Sequence, residues 1–391
     1  MNRFLAGIQV IEIGNFISGP YTGQLLAEMG AHVVKIEKPD GGDPFRSFSE
    51  DMMSPQFCAY NRGKRSVTAD LNSPGGREFV LRLVDGADVL VENFRPDVLG
   101  RLGLGWDVVQ ARNPRLVYCN ISGFGPDGPY AKRPAYDTVA QSMSGFFSQL
   151  LDPERPRITG PAMADAISGL YAALAVVSAL VQRSSDGKGH RVAVAMVEAM
   201  IAFGTDPVTN FLHKRRPPTP FDRAAASQSF ALRCSDDKMI GLHLSSPQKF
   251  WDGLITVMER PDIAADPRFS SRAGRMKNYH ALCDVLATVF VQRSRADWEA
   301  RLRKEDVPHA PILDLYEVEK DPHIVHMETF YTSNHPQVGP MRGIHAPVWC
   351  DRAREVPELS PPMLGEHTVE QARLVGFSDK EIADMRAAKA I

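Results

Sequence analysis

Between Ile158 and Gln182 the chain reads ITGPAMADAISGLYAALAVVSALVQ, with Asp165 as the single charged residue. A run this long and this apolar folds either as a membrane span or as a helix packed into a core. Ser168, Gly169 and Ser178 interrupt it as Asp165 does, and no second run of the kind occurs. The reading is a buried core helix, apolar nearly all round, in a soluble protein. A carboxylate there costs free energy unless it is paired, hydrogen-bonded or used. Gly160 and Pro161 precede it, which puts Asp165 in the first helical turn. Free backbone N–H groups and the positive end of the helix dipole would hold it ionised there. Two roles stay open: an N-terminal cap, or a nucleophile made reactive by partial desolvation.

The chain of 391 residues has room for two domains. Its formal net charge is −2 and its basic residues are scattered, which speaks against a nucleic-acid partner. Cys58, Cys119, Cys234, Cys283 and Cys350 are far apart and form no CxxC pair, so neither a disulfide framework nor a zinc site is expected. A cytoplasmic location fits. The apolar stretch in MNRFLAGIQVIEIG is too short for a signal peptide. The eleven histidines form no HxxxH pair, and no metal is expected.

The first third alternates β-rich runs (8–13, 32–36, 88–91, 116–121) with helical patterns (21–29, 75–84, 106–112, 137–149). That order predicts βαβ units and a mostly parallel sheet covered on both faces. A strand over 191–194 and a helix over 198–211, broken at Pro207, follow. After the Pro-rich connector Lys214–Pro220 the grammar changes to a hairpin, 230–234 with 239–244, and then helices over 247–258, 279–292 and 295–304. Residues 325–362 read as loop, and two helical patterns, 368–374 and 379–388, close the chain.

Gly14–Pro20 follows the first strand, where α/β sheets bind ligands, but it carries neither GxGxxG nor a Walker loop. Of Lys35, Lys38, Arg46, Arg62, Lys64 and Arg65, most read as solvated surface and the remainder as candidates for phosphate contacts. Glu92–Pro96 lies past another strand and suits either a nucleotide or an ordinary loop. No GxSxG elbow is present.

Several blocks together resemble the family III CoA-transferases (the CaiB–BaiF family): LAGIQVIEIGNFISGPYTGQLLAEMGAHVVKIEKPDGGDPFR, NRGKRSVTADLNSP, VLVENFRPDVLGRLGLGW, SGFGPDGPYAKRPAYDTVAQSMSG, GPAMADAISGLYAALAVVSAL, DGKGHRVAVAMVEA and LGEHT. The resemblance implies an Asp165 nucleophile that passes CoA between carboxylic acids through an aspartyl-CoA thioester, with acyl-CoA as substrate and no tightly bound cofactor. Backbone N–H groups at the helix start would stabilise the oxyanions. It places Ile17, Ser18, Lys38, Ala69, Asn72, Asn93, Phe94, Arg101 and Tyr136 beside CoA, with Lys38 and Arg101 as the phosphate contacts. Some members carry a lysine at the position of Asn72 and a basic residue near Pro134; their loss here would either weaken phosphate pairing or transfer it to Lys132, Arg133 or Arg46. The related α-methylacyl-CoA racemases are the alternative, with Asp165 as acid or base, but they use a histidine where this chain has Tyr136. A tyrosine is a poor base at neutral pH, which favours transfer.

The same resemblance implies an interlocked-ring homodimer. Each chain would have a large Rossmann-like domain over 1–213 completed by 340–391, a linker over 214–228, a small α+β domain over 229–325, and a return segment over 326–391. No membrane partner is expected. The acceptor acid stays open among carnitine, a small dicarboxylate and an aromatic succinate. Ile17, which replaces a glutamine of the oxalate-specific members, and the absence of a glycine run over 223–229 disfavour oxalate. Arg46, His32 and Arg223 are the candidates for a distal carboxylate.

Overall fold

The structure, a computed structural model, describes residues 4–152, 154–351, 354 and 360–391. The chain divides into two compact units. The first comprises Met1–Phe147, Arg157–Thr205 and Thr329–Ile391, and the second Ser148–Pro156 and Asp206–Glu328.

In the first unit six strands form one parallel sheet: β1 (Gln9–Ile13), β2 (His32–Glu37), β3 (Lys64–Thr68), β4 (Val89–Glu92), β5 (Val117–Ser122) and β6 (Arg191–Ala195). Their order, β3-β2-β1-β4-β5-β6, reverses between β1 and β4. The connections are α1 (Ser18–Glu28), α2 (Pro55–Tyr60), α3 (Pro74–Asp85), α4 (Val98–Arg101), α5 (Trp106–Arg112), α6 (Asp137–Met143) and α7 (Met163–Asp186), and α8 (Met196–Phe203) follows β6. Period-two alternation explains the layering. Val10, Val33, Val89, Val91 and Val117 pack with α1 and α7, while Ile11, Val34, Ile36 and Leu90 pack with α3 and the helices Thr368–Leu374 and Asp379–Ala387. The expected α/β class with a parallel sheet covered on both faces is what the chain adopts.

Three sequence expectations change. Lys64–Thr68, whose charges read as surface, is strand β3, with Lys64 fully enclosed. Part of the supposed loop 325–362 forms an antiparallel hairpin, β10 (Phe330–His335) with β11 (Gly339–Ile344). The third change concerns α7. Its buried side, including Ala164, Ala172 and Val176, packs into the core, but Leu170, Leu174 and Val181 are 50, 62 and 65% exposed. It is the one helix among the described residues long and apolar enough to cross a membrane.

The second unit holds an antiparallel sheet of β7 (Ser229–Arg233), β8 (Met239–His243) and β9 (His309–Ile312). Its own core includes Trp251, Leu254, Leu286, Phe290 and Trp298. The first two strands match the expected hairpin; β9 contains a proline and was not foreseen.

Candidate active site

Because all six strands of the large sheet run the same way, the residues that follow them gather at one edge. Ile17 and Ser18 follow β1, Lys38 follows β2, Ala69 and Asn72 follow β3, Asn93 and Phe94 follow β4, and Tyr136 precedes α6. Arg101 ends the short helix α4. Lys38 and Arg101 are exposed and, among the described residues, form no ion pair, so both are available to an anion. Asn72 is exposed, but its Nδ2 and backbone N–H both donate to Asp70. Ala69 is buried in the core and offers no side-chain group to a ligand.

Asp165 is the third residue of α7, which lacks a capping side chain of its own at Ala162. The cap comes from Asp137 instead. Its Oδ1 accepts from Ala164 N–H at 2.8 Å and from Asp165 N–H at 3.4 Å, while Gln141 Nε2 donates to Oδ2 at 2.6 Å. Met163 N–H donates to Pro161 O and Ala166 N–H to Ala162 O. The four N–H groups expected to stabilise oxyanions are therefore occupied, and that expectation fails. The capping role considered for Asp165 fails with it. Among the described residues no group donates a hydrogen bond to the Asp165 carboxylate.

The pKa of Asp165 is shifted in the direction opposite to the one a helix N-terminus would give. Burial, and then the charge of Asp137, pushes its pKa up to about 7. A helix terminus contributes about 0.3–1 kcal/mol, less than one pKa unit, and here its N–H groups already serve Asp137. Burial and like charge win. If Asp165 must ionise to react, Asp137→Asn removes the opposing charge and keeps the acceptor oxygen. The acid limb of the kcat/KM profile should then move to lower pH by about one unit; an unmoved limb would separate Asp137 from the reaction.

Tyr60 lies close enough to Asp165 to feel its charge, and burial and that charge raise its pKa, keeping a neutral O–H at the site. Rings run on from it: Tyr60 contacts Tyr21 and Phe45, Phe45 contacts Phe16, and Phe16 contacts Tyr136. A cleft of about 1000 Å³ reaches this area, lined by Tyr21, Tyr60, Ala166 and Leu170, and by Glu28 and His32. It is large enough for a bound acyl group.

The sequence misassigned half of the six cations Lys35, Lys38, Arg46, Arg62, Lys64 and Arg65. Lys35 and Arg46 are fully buried. Lys35 Nζ reaches Glu12 Oε1 at 2.9 Å, Asp43 Oδ2 at 3.0 Å and Gly14 O at 2.7 Å, and Lys64 Nζ reaches Glu12 Oε2 at 2.7 Å. Burial opposes the Lys35 ammonium, yet Glu12 and Asp43 hold its pKa above the usual lysine value. Lys64 shares one carboxylate and feels Lys35, so burial takes it down to about 8. Arg46 is spent on both oxygens of Glu37, at 2.7 and 2.8 Å, and is free for neither a phosphate nor a distal carboxylate. Arg62 pairs with Glu28 and Arg65 with Glu370. His32 lines the cleft, but burial and Arg65 lower its pKa and keep it neutral. Arg223 belongs to the second unit, 3.7 Å from Asp206.

Asp137 is the residue that sequence reasoning missed. Its signal was the AYDTVAQ block, where an acidic residue opens a helix four residues before Gln141. Among the described residues no group of three His, Cys, Asp or Glu is placed to hold a metal ion.

The sequence model of CoA-transferase family III matches residues 5–368. The chain is 32% identical over 374 residues to a succinate–glutarate CoA-transferase of Agrobacterium fabrum, covering 93% of each protein. It is 30% identical over 419 residues to a formyl-CoA:oxalate CoA-transferase of Rhodopseudomonas palustris, covering 100% of this chain and 98% of the relative. Among solved structures, a CaiB/BaiF family protein from Brucella suis superposes with a TM-score of 0.85 at 33% identity, over 96% of this chain and 100% of that one.

Proposed function

The chain belongs to the family III CoA-transferases, and on that premise we propose that Asp165 carries CoA between two carboxylic acids. One observation supports the reading above others: a desolvated carboxyl that accepts no hydrogen bond from the described residues, with a pKa near 7, next to Ala166, which lines a cleft of about 1000 Å³. At neutral pH a large fraction of it is ionised, and its raised basicity makes it a stronger nucleophile than an ordinary aspartate.

The ionised Asp165 attacks the thioester carbonyl of acyl-CoA. The C–S bond breaks, leaving an acyl-aspartyl anhydride and CoA thiolate. The thiolate attacks the aspartyl carbonyl and expels the first acid as its carboxylate, leaving aspartyl-CoA. A second carboxylate attacks this thioester to form a new anhydride and release the thiolate. Attack of the thiolate on the new acyl carbonyl gives the product thioester and returns Asp165 as a carboxylate. One thioester is made for each one broken, so no ATP is needed. The Tyr60 hydroxyl is a donor for the oxyanions in place of the occupied helix N–H groups.

We assign CoA to the edge formed by Ile17, Ser18, Lys38, Ala69, Asn72, Asn93, Phe94, Arg101 and Tyr136, with its phosphates on Lys38 and Arg101. Lys38→Ala and Arg101→Ala should each raise the KM for acyl-CoA about tenfold at low salt, with a smaller effect at high salt. A KM insensitive to both changes and to salt would move the phosphates elsewhere. We also propose a cytoplasmic, interlocked homodimer in which a second copy covers the exposed apolar residues Leu170, Leu174 and Val181 of α7. Native mass spectrometry should give twice the chain mass; a stable monomer would refute it.

Assay of acyl-CoA donors against free acids, with product thioesters read by mass spectrometry, tests the function and identifies the acids. The relatives' names put short dicarboxylates first; carnitine and aromatic succinates are tested after them. Exchange of an α-proton with solvent, without acid-dependent transfer, would instead favour the racemase-like alternative.

A further inference from the structure

Asn93 stands where the strand order reverses, at the end of β4 and opposite the loop that leaves β1. Such a reversal opens a crevice in which α/β sheets take their ligands. Here the Asn93 amide grips the protein itself. Its Oδ1 accepts from Asn15 N–H at 3.0 Å; its Nδ2 donates to Asn15 O at 2.8 Å and to Ser18 Oγ at 3.1 Å. The side chain thus pairs with both backbone groups of Asn15 and with the first residue of α1.

The fit leaves no slack. A Cβ on Gly14 would stand 3.1 Å from Asn93 Oδ1, and one on Gly19 3.0 Å from its Cγ. The loop also needs holding, because Phe16 has a φ of 64°, which a bulky side chain rarely adopts. Lys35 grips the same loop through Gly14 O, and Asp43 Oδ1 accepts from Phe16 N–H at 3.4 Å. Below Asn93, Glu92 anchors the strand end by accepting from Phe94 N–H at 2.7 Å, Tyr118 Oη at 3.0 Å and Asn120 Nδ2 at 2.5 Å. The Phe16 ring meets Tyr136, the residue before Asp137.

We infer that Asn93 is a positioning residue: its amide sets the Gly14–Ser18 loop in the conformation that receives the thioester, rather than contacting the substrate through its own polar atoms. The inference rests on the assignment of this edge to CoA. It differs from a direct contact because every polar atom of the Asn93 side chain is already engaged within the fold.

Two variants and two readouts test it. Asn93→Ala should speed amide hydrogen exchange across Gly14–Ser18. It should raise the KM for acyl-CoA about tenfold, with kcat within about threefold of the parent, because two backbone groups lose their partner. Asn93→Asp is nearly isosteric. Protonated, it keeps the acceptor and one donor for the Asn15 carbonyl in place of the amide's two; ionised, it loses that donor as well and faces the Asn15 carbonyl. The ratio of its KM to that of the parent should therefore climb with pH. A raised KM with unchanged loop exchange would make Asn93 a direct contact and overturn the inference. So would faster exchange with an unchanged KM, or a ratio flat with pH. Exchange is read without turnover, so loss of the loop effect and failure of the transfer reaction in the parent protein are distinguishable.

Discussion

Asp165→Asn is expected to lower kcat for transfer by about a thousandfold or more and, against the usual trend for point changes, to raise the melting temperature. The first effect follows from removal of the proposed nucleophile. The second follows from the charge state. The folded carboxyl titrates near pH 7 against 3.8 for an ordinary aspartate, because burial and Asp137 disfavour the anion. A group with its pKa raised by folding contributes stability that is fully present below about pH 4 and lost as pH rises through 7. Above that the fold holds an anion it would rather release to water. Asparagine is neutral throughout. The gain in melting temperature should therefore be largest above pH 7 and vanish toward pH 4, as read by thermal unfolding of both proteins across that range. A loss of stability at pH 8 would mean that the anion is solvated or paired, and the charge argument would fail.

Lys35→Met should be the most destabilising single change at the head of the sheet. Glu12, Lys35, Asp43 and Lys64 are enclosed together, two anions with two cations, linked by contacts of 2.7–3.0 Å. Removing one partner strands a buried charge, at a cost of about 3–5 kcal/mol. For a unit of this size that corresponds to a fall of about 10 °C in melting temperature. Methionine fills much the same volume, so the cost reports charge rather than a cavity. Adding Asp43→Asn restores neutrality and should recover more than half of the loss. A double variant no better than Lys35→Met alone would show that the salt links matter less than the packing around them.

Much of this arrangement was legible in the sequence. The parallel sheet followed from β-rich runs alternating with helical periods, and Asp165 stood out because nothing near it in sequence carries charge. The ionic centre was written there too. Val10 and Glu12 share one face of β1, Val33 and Lys35 one face of β2, and Glu12 sits beside Lys35 in the parallel register. A lysine two residues after a core valine is on the buried side; reading Lys35 with its charged neighbours as surface hid that. The strand β3 was lost for the same reason. What no local pattern carries is Asp137 capping a helix 27 residues away, because the partnership forms only when α6 and α7 pack. That contact adds to burial in raising the pKa of Asp165. The exposed side of α7 is similar: an apolar run says that residues avoid water, and not which surface covers them.

The central claim is a covalent bond between Asp165 and CoA. The protein is incubated with a competent acyl-CoA, quenched in acid, digested and read by mass spectrometry, with a parallel sample treated with hydroxylamine. The expected result is CoA on the peptide containing Asp165, convertible to a hydroxamate and discharged when the acceptor acid is added before the quench. Brisk transfer with Asp165 unmodified at every time point, or adducts on another residue while Asp165→Asn transfers at the parent rate, would contradict it.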